Sequence, residues 1–184
     1  MQTRTHLAAS LLAAISLHAY AAEPKAVLIG FSGPLTGPQA AAGKDNQGGL
    51  QLAIERLNAQ KLTIGGAPVM FTAMMEDDQG DPKAGVNAAQ KLVDLKVKAV
   101  VGPYNSGVAI PASRVYDAAG IVMGTVASNP KVTQQGYRNV FRIAASDSQL
   151  GGTMARYAAK ELKLKRVAII DDRTAYGQGV AAEF

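Results

Sequence analysis

Apolar positions fall into two alternating patterns along the chain. Lys25 to Phe31 (KAVLIGF) is a nearly continuous apolar run, the pattern of a strand buried on both faces of a parallel sheet. Between Asp45 and Gln60, Leu50, Ala53, Ile54 and Leu57 recur at i, i+3, i+4 and i+7, which predicts a helix with one buried stripe. Gly65-Gly66 separates Leu62-Thr-Ile from Val69-Met-Phe-Thr-Ala, a hairpin-like approach to a second strand that Glu76-Asp77-Asp78 closes. Asp81-Pro82 marks a helix start, with Asp as N-cap and Pro at the first helical position. That helix runs to about Leu95 with Val86, Ala89, Leu92 and Val93 inward. The short apolar run Ala99 to Gly102 is stopped by Gly-Pro and predicts another strand. A helix then opens at Gly107, with Ser106 as cap and Val108, Ala112 and Val115 on its apolar side. Strands are expected at Ile121 to Thr125 and Val140 to Ile143. A helix from Gln149 to Leu162, a strand from Val167 to Ile170 and a last helix follow.

Residues 25–143 therefore alternate strand and helix, which predicts an α/β fold with a doubly wound, mainly parallel sheet. Ligands of such sheets collect beyond the carboxyl ends of the strands, near the switch in strand order. The loops 32–43, 76–81, 103–107 and 126–130 all follow strands and crowd that end. Within them, Asn105-Ser106-Gly107 leads a strand into a helix. Free backbone N–H groups, the positive end of the helix dipole and the Ser106 hydroxyl converge there as an anion seat. No Lys or Arg lies in the turn, so the seat suits one carboxylate better than a polyphosphate. The plainer alternative is that Ser106 only caps its own helix.

Composition narrows the chemistry. Arg4, the apolar run from Leu7 to Leu17 and Ala19-Tyr20-Ala21 read as a secretory signal over residues 1–21, too short to span a bilayer. The mature chain is expected to begin at Ala22. With no Cys to carry a lipid, it is expected in the periplasm. Removing 1–21 takes Arg4 from the 19 basic residues and none of the 14 acidic ones, lowering the net charge of +5 by one. Lys160, Lys163, Lys165 and Arg166 form the densest basic cluster, at an expected helix end where cations suit the dipole, so no nucleic-acid partner is expected. Both histidines, His6 and His18, fall in the signal. Ser-His-Asp and Cys-His catalysis and the usual zinc sites are thereby excluded, and the chain reads as no enzyme, with no cofactor and no metal. The glycine-rich loop 32–43 is not a phosphate loop, because Gly37 and Gly43-Lys44 are one residue too far apart and Asp45 stands where Ser or Thr is needed. Glu76-Asp77-Asp78 reads as a polar turn rather than a cation site.

Many short stretches at consistent spacing carry a family resemblance. They are Gly33-Pro-Leu-Thr-Gly37, Leu57-Asn-Ala59, Asp77-Asp78 with Asp81-Pro82, Gly102 with Asn105-Ser-Gly107, and Pro111-Ala-Ser113. Ala127-Ser-Asn-Pro130, Arg142, Asp171-Asp172 and Tyr176-Gly-Gln-Gly179 complete the set. In these the chain resembles the periplasmic substrate-binding proteins of branched-chain amino acid ABC transporters, which have the type I periplasmic binding fold. The resemblance implies two lobes: residues 22–143 as the N-terminal ligand-binding lobe, 144–148 as a hinge crossing, in which Asp147 or Ser148 is expected to cap the next helix, and 149–184 as the start of a second lobe. Family members are about twice as long, and the last helix meets Phe184 without a stop signal, so a fragment lacking the C-terminal half is expected. The resemblance further implies a receptor that captures leucine, isoleucine or valine and passes it to a membrane permease. A sensor of amides or related solutes is the alternative. A monomer is expected. Ser106 and the adjoining Asn105 turn would hold the ligand carboxylate. Ser128, with the backbone around Val126 and Ala127, would meet the carboxylate and ammonium, and Tyr176 would cover the ligand from the second lobe. Ala42 stands where the family often has an aromatic residue against the ligand side chain. Gly80 and Asn105 match two positions that form a disulfide in some members.

Overall fold

The computed structural model describes residues 23–184; the expected signal lies outside them. Six strands and five helices follow in chain order: β1 Lys25–Gly33, α1 Ala40–Ala59, β2 Thr63–Ile64, β3 Ala67–Asp77, α2 Pro82–Asp94 and β4 Ala99–Val101. Then come α3 Ser106–Ala118, β5 Val122–Thr125, β6 Val140–Arg142, α4 Asp147–Arg156 and α5 Ala175–Glu183. The sheet order is β2-β3-β1-β4-β5-β6, parallel except for the short β2–β3 hairpin, so the doubly wound, mainly parallel sheet is present.

The handedness of βαβ crossovers explains where the helices sit. β1 to β3 runs one way across the sheet and β3 to β4 to β5 runs the other, so right-handed connections put α1 on one face and α2 and α3 on the opposite one. The core divides accordingly. Leu92, Val100, Ala112, Tyr116 and Met123 pack under α2 and α3, while Phe31, Leu50 and Ile54 pack under α1. The strand order reverses beside β1, and the turns that leave β1 and β4 face each other at that point.

Two carboxylates and one amide tie the layers together. Asn58 on α1 donates to the Phe71 carbonyl (2.9 Å) and accepts from the Phe71 N–H (2.8 Å), satisfying a stretch of β3 that has no neighbouring strand on that side. Asp81 caps α2 as expected, accepting from the N–H groups of Lys83 (2.9 Å) and Ala84 (2.8 Å). Asp78 is fully buried and accepts from the Ser32 hydroxyl (2.9 Å) and the Gly80 N–H (3.0 Å). The acidic triplet is thus a fastening of three loops, with Glu76 paired to Lys91 at 3.1 Å.

Asp77 and Asp78 titrate in opposite directions. Partial burial works to raise the Asp77 carboxyl, but hydrogen bonds from the Thr36 hydroxyl and the N–H groups of Gln79, Leu35 and Thr36 outweigh it and hold it below 3.8. Burial pushes Asp78 above 3.8 against the bonds from Gly80 and Ser32, with the Asp77 charge adding to the rise. Asp77 therefore contributes stability that is complete above pH 3.8 and is lost as pH falls through its lowered folded value. Asp78 contributes most in acid, and that part is lost as pH rises from 3.8 through its raised folded value. Denaturant midpoints measured against pH should show Asp77→Asn flattening the fall below pH 3.8 and Asp78→Asn flattening the slope above it.

Four expectations are corrected. The first helix begins at Ala40 rather than Asp45, because the alanine run ahead of Asp45 has high helix propensity and extends the helix backwards. The helix after the crossing begins at Asp147, and Ser146 rather than Asp147 or Ser148 caps it, in a reciprocal box with Gln149. It ends in a π-helical turn, Tyr157–Glu161. Val167 to Ile170 forms no strand, since no strand among the described residues lies beside it. Ser106 is not a cap: Asn105 holds the N-cap position and Ser106 is the first helical residue of α3.

Candidate functional site

The turn after β4 is built from both sides of the strand-order switch. Gly102 donates its N–H to the Gly124 carbonyl at 2.8 Å, and the Thr125 hydroxyl donates to the Pro103 carbonyl. The same hydroxyl oxygen accepts from the Ala127 N–H at 3.0 Å, so Thr125 fixes the turn after β4 and the loop after β5 together. This delivers Asn105 to the head of α3. Its side chain does not turn back onto the helix. Instead Asn105 Nδ2 donates to Gln39 Oε1 at 2.6 Å, across to the loop that leaves β1.

The consequence is a helix start left uncapped. The N–H groups of Ser106 and Gly107 occupy the first two helical positions and can have no intrahelical acceptor. The Ser106 side chain adds a third donor. Its oxygen accepts from the Asn129 N–H at 3.2 Å, so the hydroxyl proton points elsewhere. Together with the helix dipole these three donors make a seat for one negative charge.

A cleft of about 750 Å³ opens over this seat. Asn105, Ser106 and Gly107 line it from α3, and Val126, Ala127 and Ser128 from the loop after β5. The segment 172–176, ending in Tyr176, forms the opposite wall. Tyr176 is half-exposed at the edge of the opening. Six of the seven sequence-predicted site residues thus meet around one cavity. Ala42 does not: it lies in the first turns of α1, outside the lining, where its carbonyl accepts from Asn46. Gly80 and Asn105 are neighbours, since a Cβ on Gly80 would lie 3.4 Å from Asn105 Oδ1.

Two residues at the site escaped the sequence reading. Gln39 is the partner that draws Asn105 off the helix. Asn129 is buried and touches three elements: its N–H donates to Ser106, its Oδ1 accepts from the Lys131 N–H (3.0 Å), and its Nδ2 donates to the Ala175 carbonyl (2.9 Å). It joins the anion seat to the far wall. The one signal for it in the sequence is Asn before Pro, the composition of a capped turn. On the far wall, bonds from the Thr174 hydroxyl and N–H hold the exposed Asp172 carboxyl below its ordinary value, so the rim carries a fixed negative charge next to Arg173.

Residues 26–184 match the model of the periplasmic binding protein family. The chain belongs to that family. Among its relatives, the Leu/Ile/Val-binding protein BraC3 of Rhizobium johnstonii is 43% identical over 159 residues, covering 86% of this chain and 42% of that protein. The Leu/Ile/Val-binding protein homolog 1 of Brucella abortus is 41% identical over 158 residues, covering 85% and 42%. Two solved members of the family have the same architecture with a TM-score of 0.76. The branched-chain amino acid transporter substrate-binding protein LivJ of Streptococcus pneumoniae, in complex with isoleucine, is 28% identical over 86% of this chain and 45% of its own. The leucine-binding protein LivK of Thermotoga maritima is 29% identical over 86% and 44%. The chain spans less than half the length of the relatives it matches. Within the family fold, the sheet described here is that of one binding-protein lobe, and its cleft lies at the carboxyl ends of the strands.

Proposed function

We propose that this chain supplies the carboxylate-holding wall of an extracytoplasmic receptor for leucine, isoleucine or valine, which passes its ligand to an ABC transporter permease. The observation that carries the reading is the uncapped start of α3, with two free N–H groups and the Ser106 hydroxyl facing a cleft. An α-amino acid presents a carboxylate of matching size. Ser128 and the carbonyls of the 126–128 loop offer oxygens for its ammonium, and Tyr176 closes over it from the opposite wall. Residues 144–148 act as the hinge between the two walls, and each chain holds its own ligand. Export to the periplasm rests on the signal read at residues 1–21. The receptor returns its ligand unchanged.

Calorimetric titration of the protein with leucine, isoleucine, valine and a panel of amides and aromatic acids tests this, beside Ser106→Ala. A hydrogen bond to a charged group contributes about 1.5–3 kcal/mol net, so the variant should bind the preferred amino acid roughly 10- to 100-fold more weakly. Equal affinity in the variant would remove Ser106 from the carboxylate seat. A folded protein that takes up none of the branched amino acids would overturn the reading.

A further inference from the structure

Gln39 and Asn105 stand at two helix starts beside the cleft, as the N-cap residues of α1 and α3, and neither side chain bonds its own helix. Asp81 on α2 and Thr174 on α5 do what cap residues ordinarily do, accepting from N–H groups of their own first turn. Asn ranks with Asp among the best N-caps. The Asn105 backbone already has the extended conformation of a cap, with φ −83° and ψ 135°, so only a side-chain rotation separates it from capping α3. Its Oδ1 is buried with no hydrogen-bond partner among the described residues, which costs free energy. One bond holds the side chain there: Asn105 Nδ2 donates to Gln39 Oε1 at 2.6 Å. Gly80 leaves room for that bridge, since a Cβ on it would lie 3.2 Å from Gln39 Oε1 and 3.4 Å from Asn105 Oδ1.

The donor that a turned Asn105 would take is one the anion seat needs. The side-chain oxygen of a cap accepts from the second or third helical N–H. In α3 the third, on Val108, already donates to the Asn105 carbonyl at 3.0 Å, which leaves the second, on Gly107. Gly107 lines the cleft. We propose that Gln39 is a positioning residue for the ligand: it draws Asn105 across the rim and so keeps the Gly107 N–H open for a carboxylate, with Asn105 as the built-in competitor for that donor. Gln39 acts through Asn105 and needs no contact with the ligand. The inference rests on the carboxylate seat proposed above. Gln39, Gly80, Asn105 and Gly107 all precede the crossing at 144–148 and sit on loops and helix starts of the described sheet.

Gln39→Ala releases Asn105, and because Gln39 is exposed the core is untouched. The fraction of chains with an open seat then falls by the preference of Asn for the cap, and apparent affinity falls with that fraction. Calorimetric titration with whichever of leucine, isoleucine and valine the unaltered chain binds best should show binding about 3- to 30-fold weaker in Gln39→Ala. In an Asn105→Ala background the same change at Gln39 should alter affinity less than about twofold, since the competitor is gone. Amide hydrogen exchange followed by NMR reads the switch without ligand. The Gly107 amide should exchange about 3- to 30-fold more slowly in Gln39→Ala than in the unaltered chain, and Asn105→Ala should abolish the slowing. Equal affinity in Gln39→Ala, or an unchanged Gly107 amide, overturns the proposal. So does a loss of affinity that persists in the Asn105→Ala background, which would mean that Gln39 meets the ligand itself. A chain that takes up none of the three amino acids overturns the function proposed above instead, and the Gly107 exchange then decides by itself whether Gln39 holds the seat open.

Discussion

Gly102→Ala is expected to cost the fold about 2–6 kcal/mol, enough to consume much of a typical domain's stability of about 5–15 kcal/mol. Two effects add. Gly102 has φ of +107°, where any side chain is strained, at roughly 1–3 kcal/mol. A Cβ there would also lie 1.9 Å from the Ser32 carbonyl oxygen, an atom of the neighbouring β1 backbone that cannot rotate aside. Relieving the overlap means parting β1 from the end of β4, for about 1–3 kcal/mol more. Gly120→Ala separates the two effects. Its φ is +66° with nothing within 4 Å of a new Cβ, so it should cost only about 1 kcal/mol. Urea unfolding of the three proteins measures both. Equal losses at positions 102 and 120 would show that the two strands part easily. Because Gly102 sets the path into Asn105 and Ser106, a surviving Gly102→Ala protein should also bind ligand poorly.

Asp78→Ala is expected to cost about 2–6 kcal/mol, and Asp78→Asn less than about 1. The alanine leaves the Ser32 hydroxyl and the Gly80 N–H without their acceptor in a fully buried place, at about 1–3 kcal/mol each. The asparagine keeps an oxygen for Gly80 and can donate to the Ser32 oxygen. It also removes a carboxylate whose charged form is disfavoured by burial. Chemical denaturation at neutral pH distinguishes the two variants. If they lost the same amount, the charge rather than the hydrogen bonds would be what holds β1, β3 and the start of α2 together.

The parts of the fold read correctly were those set by local pattern. The apolar runs of β1 and β4, the Asp81-Pro82 cap and the alternation of strand with helix are each legible within about ten residues, and handed crossovers then dictate the layers. Ser106 was placed at the right turn but given the wrong backbone role. Whether the residue at the N-cap position bonds its own helix depends on Gln39, 66 residues away, drawing off the Asn105 side chain. The four residues Val167–Ile170 have strand propensity, yet a strand exists only beside another, and propensity cannot supply a neighbour. Asn129 was missed for a similar reason. Its three bonds reach α3, its own 3₁₀ turn and α5, and only the assembled fold brings the first and last of these together.

The placement of β1 has a further consequence for how the molecule opens. β1 is hydrogen-bonded along its whole length to β3, and over Ile29–Phe31 also to β4, with a packed cluster on each face. Its amide hydrogens can meet deuterium only when the sheet comes apart as a unit, so Ile29 to Phe31 should exchange last and report the global unfolding free energy. In the isolated chain the amides of residues 165–170, which have no ladder partner among the described residues, should exchange first.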